Sequence, residues 1–438
     1  MRKTTLATLI AGALLSLDAS ALDLLQAFNE AQVHDSQFAS ARAQRDASRE
    51  RELQARAGLM PQVSFSGSGS QVDGTSSTPG STDRPINYNA QSYQVSLQQP
   101  LYRPANLNAY EQGKLATAAA DIQFEQARID LALRVAQAYF DVLAAEDVIA
   151  FINAQKLAIA EQLASAKRNF EVGTATITDT HEAQARYDLA LAQEIAAQND
   201  LEVKRNAFAV ITGKQPGMLS SLRSGVVIHA PEPAGMDQWV TSAETGNVSV
   251  VAQSYQMEIA KLDVARNKAG HLPTLDAVAS YSHNTGLAYA PTATVSTTSI
   301  GVQLTLPLFN GFSTTSQVRQ AVSLEEKART DLDTAKRSAA QSARTAYLGV
   351  QSGLSQVRAL EAAETSSKLA LEANQLGYQV GVRINIDVLN AQQQLYSTRR
   401  DLAKARYDTL VSGLRLKAAA GSLSQDDIAQ LNTLLTSR

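Results

Sequence analysis

Two periods share this chain. Between Gln62 and Ser70 the apolar Val63 and Phe65 interleave with Ser64 and Ser66, and between Tyr93 and Gln99 the apolar Tyr93, Val95 and Leu97 interleave with Gln94, Ser96 and Gln98. Period two with a polar opposite side predicts strands whose two faces meet different surroundings. The alternation returns at Leu275, Ala277, Ala279 and Tyr281, and again at Val302, Leu304, Leu306 and Leu308. Four strands are expected, in hairpins over 62–99 and 274–308. Their exposed loops are VDGTSSTPGSTDRPIN and HNTGLAYAPTATVST, the first rich in Gly, Ser, Thr and Pro.

Elsewhere the period is helical. Residues 22–57 read as a helix that stops near Gly58 and Pro61. Two stretches, 104–169 and 312–377, are free of proline once Pro104 is passed. At about 1.5 Å per residue each spans about 100 Å, far beyond an ordinary globular helix. Within the first, Leu131, Val135, Ala138, Val142, Ala145, Ile149 and Ile152 follow alternating steps of four and three, the seam of a coiled coil. Shorter helices follow at about 180–211 and 386–419. The two short helices flanking each strand pair together nearly match the long one, which predicts two short helices stacked end to end beside it in an antiparallel wall.

One phrase is written twice. FEVGTATITDTHEAQARY at 170–187 and YQVGVRINIDVLNAQQQL at 378–395 share an opening aromatic (Phe170, Tyr378), Val172-Gly173 and Val380-Gly381, the aspartates Asp179 and Asp387, and a closing Ala-Gln. The offset separating Gly173 from Gly381 also separates Tyr139 from Tyr347 and Gly213 from Gly421, and AGLMPQV at 57–63 resembles AGHLPTL at 269–275. Constant order and spacing mean internal duplication. The expected organisation is a first repeat over 22–213 with its tip turn at 170–179, a linker over 214–243, a second repeat over 244–421 with its tip turn at 378–387, and a tail over 422–438. Linker and tail are expected to form a small equatorial belt around the middle of the rod.

Composition narrows the function. Thirty-nine basic against 42 acidic residues give a net charge of −3, so no basic field points to nucleic acid. Arg2 and Lys3, an apolar run from Leu6 to Leu17 and Ala19-Ser20-Ala21 form the pattern of an export signal over 1–21. Without cysteine there is no disulfide, thiolate metal site, cysteine nucleophile or cysteine-linked lipid. His34, His181, His229, His271 and His283 are scattered without metal-ligand spacing, and Gly67-Ser68-Gly69 lacks the helix and lysine of a phosphate loop. No enzyme, cofactor or metal is expected.

Four amphipathic strands cannot close a barrel, because the smallest membrane barrels use eight and an open edge in lipid leaves backbone groups unpaired. Three copies would pool twelve strands above twelve helical tracks. The alternative on the residues alone is a periplasmic structural coiled coil without a pore.

The duplicated unit, the Val-Gly turns followed by aspartate, and the strand entries Pro61-Gln62 and Pro273-Thr274 resemble the TolC family of outer-membrane efflux and secretion channels. The resemblance covers essentially the whole chain after the leader, and without cysteine it lies closer to the branch typified by TolC than to the lipidated drug-efflux branch. It implies a mainly α homotrimer whose 12-stranded β-barrel sits in outer-membrane lipid and continues as an α-helical tunnel through the periplasm. It implies docking to a periplasmic adaptor and an inner-membrane transporter, and export of drugs, toxins or proteins without chemistry. The adaptor-docking tips it implies are Val172, Gly173, Thr174, Val380, Gly381 and Val382. Tyr378 and Arg383 of the second turn are the implied gate latch on Thr178 and Asp179 of the first, and Asp387 the implied acidic ring at the pore entrance. The second acidic position of that entrance is Asn390 here.

Overall fold

The computed structural model of the protein describes residues 21–436 apart from 78, 81, 224, 288 and 289. The leader expected over 1–21 lies, except for Ala21, outside the described residues. Helices α1 (Leu24–His34) and α2 (Ser36–Ala57) precede strands β1 (Gln62–Ser76) and β2 (Arg84–Tyr102), and α3 (Pro104–Glu171) and α4 (Ile177–Thr212) follow. After β3 (Ser221–Leu222) the order recurs as α5 (Met236–Gly246), α6 (Val248–Lys268), β4 (Thr274–Leu287), β5 (Ala290–Thr305), α7 (Ser313–Gln379) and α8 (Asn385–Ala419). Helix α9 (Gln425–Asn432) and strand β6 (Leu435–Thr436) end the described chain. The chain divides into two compact units, one of Ala43–Phe124 with Ser249–Ala335 and one of the remaining residues.

The first unit holds an antiparallel sheet in the order β1-β2-β4-β5. Its register sorts the side chains by chemistry. Val63 lies opposite Leu97, Phe65 opposite Val95, Leu97 opposite Ala279 and Ala279 opposite Ile300, so one face is apolar. On the other, Ser64 lies opposite Ser96, Ser96 opposite Ser280 and Ser280 opposite Ser299. Hydrogen bonds cross that polar face from Ser92 to Asn284 (2.6 Å) and between the Ser64 and Ser96 hydroxyls (2.7 Å). Among the described residues the outer edges of β1 and β5 have no partner strand.

The strands run beyond the apolar alternation. Residues 72–76 and 84–87, expected as loop, pair across the ladder as Val72 with Tyr88 and Asp73 with Asn87, and much of 283–297 does the same. Backbone pairing sustains a strand where Ser, Gly and Thr offer no stripe to read. Conversely, Leu306 and Leu308 lie past the end of β5, because Pro307 has no N–H to give the ladder. Helices in this unit adjoin in the same sense as the strands. Arg49 of α2 pairs with Asp121 of α3 at 3.0 Å, and Gln112 of α3 donates to the Ile259 carbonyl of α6 at 3.0 Å. At the base of the sheet the Arg103 guanidinium grips Asp276 through two bonds.

The second unit explains why residues 22–57 do not form one helix. At Asp35 the backbone turns extended (ψ 120°), and the carboxylate accepts the Phe38 N–H at 2.7 Å to start α2. Arg134 of α3 meets the same carboxylate through two bonds of 2.8 and 3.0 Å. This fork holds the Asp35 carboxyl below its usual range. The seam residues Leu131, Val135, Val142 and Ala145 are buried, but so are Ala132, Ala136, Tyr139, Phe140 and Leu143. A face that wide is packed by more than one neighbour, unlike the narrow stripe of a two-helix coil.

The repeated tyrosines anchor the linker. Tyr139 is fully buried and donates to the carbonyls of Leu22 (3.0 Å) and Ser220 (2.8 Å), while Tyr347 donates to that of Ala234. Burial pushes the Tyr139 phenol well above its ordinary range, so it stays a donor. Linker and tail meet through β3 and β6, which pair antiparallel. The repeated glycines Gly213 and Gly421 follow α4 and α8 with φ of 80° and 73°. A Cβ on Gly421 would stand 2.0 Å from the Gly246 carbonyl oxygen, so both conformation and space demand glycine there.

Candidate functional site

Both tip turns are built from one set of backbone bonds. Gly173 donates to the Phe170 carbonyl (3.0 Å) and Thr174 to that of Asn169 (2.8 Å); Gly381 donates to Tyr378 (3.1 Å) and Val382 to Gly377 (2.9 Å). These are paired Schellman caps, each closed by a left-handed glycine at φ 81°. The caps end α3 and α7 and send the chain back as α4 and α8. Val172, Val380, Val382 and Ile384 are exposed at the turns, which leaves apolar surface uncovered by the described residues of this chain.

The two aspartates of the duplicated phrase are used differently. Asp179 closes a capping box with Thr176, accepting its N–H at 2.9 Å and its hydroxyl at 2.8 Å on one carboxylate oxygen. Where the first repeat has Thr176, the second has Ile384, which has no hydroxyl to complete the box. Asp387 is thereby left for Arg383, one helical turn before it, at 3.6 Å. The Tyr378 hydroxyl accepts from Asn169 at 3.2 Å. Within one chain, then, Thr178, Asp179, Tyr378 and Arg383 do not bond one another through their side chains, and Arg383 serves Asp387.

Two other side chains, Asn385 and Arg186, tie the hairpins together. Asn385, 1% exposed at the start of α8, donates to the Asp179 carbonyl at 3.1 Å and accepts from Gln162 of α3. Arg186 of α4 reaches the Asn390 side-chain oxygen at 2.9 Å and that of Gln393. Beneath them Ile159, Leu163, Ala183, Ala190 and Leu389 form an apolar cluster with Tyr187 and Ile386 packed against it. The exposed side of α8 is polar, carrying Asn390, Gln393, Gln394, Arg400 and Asp401, while Val388, Leu389, Leu395 and Leu402 are buried. None of these ties was expected from the sequence. Aligning the two copies of the phrase offers one signal, since Asn385 stands where the first copy has Ile177.

Comparison with known proteins gives concordant results. The family pattern described as Outer membrane efflux protein matches residues 27–214 and 239–422. Outer membrane protein TolC of Vibrio cholerae is 33% identical over 414 residues, covering 94% of this chain and 93% of that protein. Alkaline protease secretion protein AprF of Pseudomonas aeruginosa is 33% identical over 438 residues, covering 98% and 91%. Among solved structures, the outer membrane protein VceC of Vibrio cholerae superposes with a TM-score of 0.78 at 19% identity, covering 91% of this chain and 96% of that one.

Proposed function

The chain belongs to the outer membrane efflux protein family, and from that premise we propose that three copies assemble into an exit duct whose tip turns form its periplasmic gate. The protein is an outer-membrane exit channel for efflux or type I secretion, and it moves cargo without transforming it. It resides in the outer membrane and extends into the periplasm. Channels of this family form trimers and work with an adaptor and an inner-membrane transporter.

The observation that carries the trimer is the four-stranded sheet with an apolar face, a serine-rich face and two open edges. Lipid tolerates no open edge, so β5 of each copy pairs with β1 of the next, and twelve strands close around the polar faces. The drug, toxin or protein cargo then passes along hydrated walls.

At the tips, Val172, Gly173, Thr174, Val380, Gly381 and Val382 offer an adaptor exposed apolar side chains beside bare backbone. Both capping bonds of Asp179 fall on one carboxylate oxygen, and among the described residues the other is free. Arg383, more than half exposed, bonds that oxygen and Thr178 on the neighbouring copy, with Tyr378 completing the latch. Such charge-assisted bonds hold a constriction and still yield to a competing partner. Three Asp387 carboxylates surround the entrance.

Single-channel recording in planar bilayers tests this reading. Wild-type protein is expected to conduct weakly, and Tyr378→Phe with Arg383→Ser to raise conductance several-fold. A conducting protein indifferent to both changes removes the latch. Properly inserted protein without conductance returns the chain to a structural coil.

A further inference from the structure

The Arg186 guanidinium bonds only amide oxygens. Its partners are Asn390 and Gln393, and among the described residues no carboxylate lies within ion-pair distance, Glu182 one turn before it on α4 included. Amide oxygens orient a guanidinium through its fork without neutralising it. The result is a positive charge held in place against α8.

The position of that charge follows from the pattern of α8. Asn390 and Gln393 open the exposed stripe that continues through Gln394, Arg400 and Asp401, while Asn385, Val388, Leu389, Gln392 and Leu395 turn inward. Beyond the Arg186 contacts, a stripe so polar suits water better than the apolar face of another helix. In a trimeric channel it lines the hydrated tunnel just beyond the entrance, one helical turn past Asp387.

We propose that Arg186 is a selectivity-determining residue, whose three copies offset the field of the three Asp387 carboxylates and open the entrance to anions. This inference rests on the channel reading above. Rings of fixed charge set which ions accumulate in a pore, and opposite rings one turn apart act against each other at close range. Asn390 belongs to the same arrangement. Its amide oxygen holds the guanidinium in place without supplying a compensating charge. An entrance so balanced admits acidic segments of a cargo chain as well as basic ones.

The test is the reversal potential of the pore in a KCl gradient, for wild type, Arg186→Gln and Arg186→Lys. Wild type is expected to discriminate weakly between potassium and chloride. Arg186→Gln should shift the reversal potential toward that of potassium, raising the preference for potassium over chloride several-fold. Arg186→Lys, which keeps the charge but loses the fork, should stay near wild type. A reversal potential unchanged in Arg186→Gln, with wild type conducting, overturns the assignment alone. An equal shift in Arg186→Lys also overturns it, because the fork's geometry and not its charge would then be responsible. Absence of conductance in inserted wild type overturns the channel itself, and this assignment with it.

Discussion

Arg134→Ala is expected to lower stability by about 3 kcal/mol, the scale for stranding a buried charge by removing its partner. The Asp35 side chain is 5% exposed, and its carboxylate serves two masters: the first turn of α2, through Phe38, and the Arg134 fork. Without arginine, the carboxylate remains buried with the backbone bond and no countercharge. Acid tells the stranded charge from simple loss of packing. Arg134 holds the folded carboxyl below its reference value of 3.8, so its contribution is present at neutral pH and fades as pH falls through the folded pKa. In the variant, burial opposes the charged form and protonation relieves it. The stability gap between the two proteins should therefore shrink as pH falls from neutral toward and below 3.8. Denaturant titration followed by circular dichroism checks this, and a gap that stays constant would attribute the loss to packing.

Val302→Arg should be nearly as damaging, for an unrelated reason. Val302 lies opposite Ala277 on the face that carries Val63, Phe65, Leu97 and Ile300. If lipid covers that face, arginine there costs about 2 kcal/mol per chain, incurred three times in the assembly. Gln303, its neighbour on β5, pairs with Asp276 on the opposite face, so Gln303→Arg should be tolerated. Quantifying membrane-inserted protein for the two variants checks the orientation. Equal yields would contradict a lipid-facing apolar side.

Much of this architecture is legible in periodicity. Alternation locates the four strands, proline-free length locates α3 and α7, and the duplicated Val-Gly phrase locates both tip turns. The break at Asp35 is not legible, because its partner Arg134 lies far along the chain and nothing local distinguishes this aspartate from a surface one. Strand continuation through residues 72–76 is hidden for the opposite reason, since loop-like composition masks a ladder held by the backbone.

At the tips, Asp179 and Asp387 read alike, yet the residue three places earlier, Thr176 or Ile384, decides whether the carboxylate caps its helix or meets an arginine. That distinction is a sequence signal, the capping box, available once it is sought. The Asn385 and Arg186 ties carry no such signal beyond the contrast of Asn385 with Ile177. They depend on which faces of α4 and α8 the fold brings together.

The pooling of strands is the claim on which the others depend, and cross-linking reaches it most directly. The chain has no cysteine. Cysteines placed at Ser66 on β1 and Ser299 on β5 would stand on the two open edges, both on the serine-rich face. Treating the inserted protein with a short bifunctional maleimide should give a denaturing-gel ladder of one, two and three copies that ends at three. A ladder ending at two, one running past three, or unlinked chains in properly inserted protein would contradict a barrel closed by three copies.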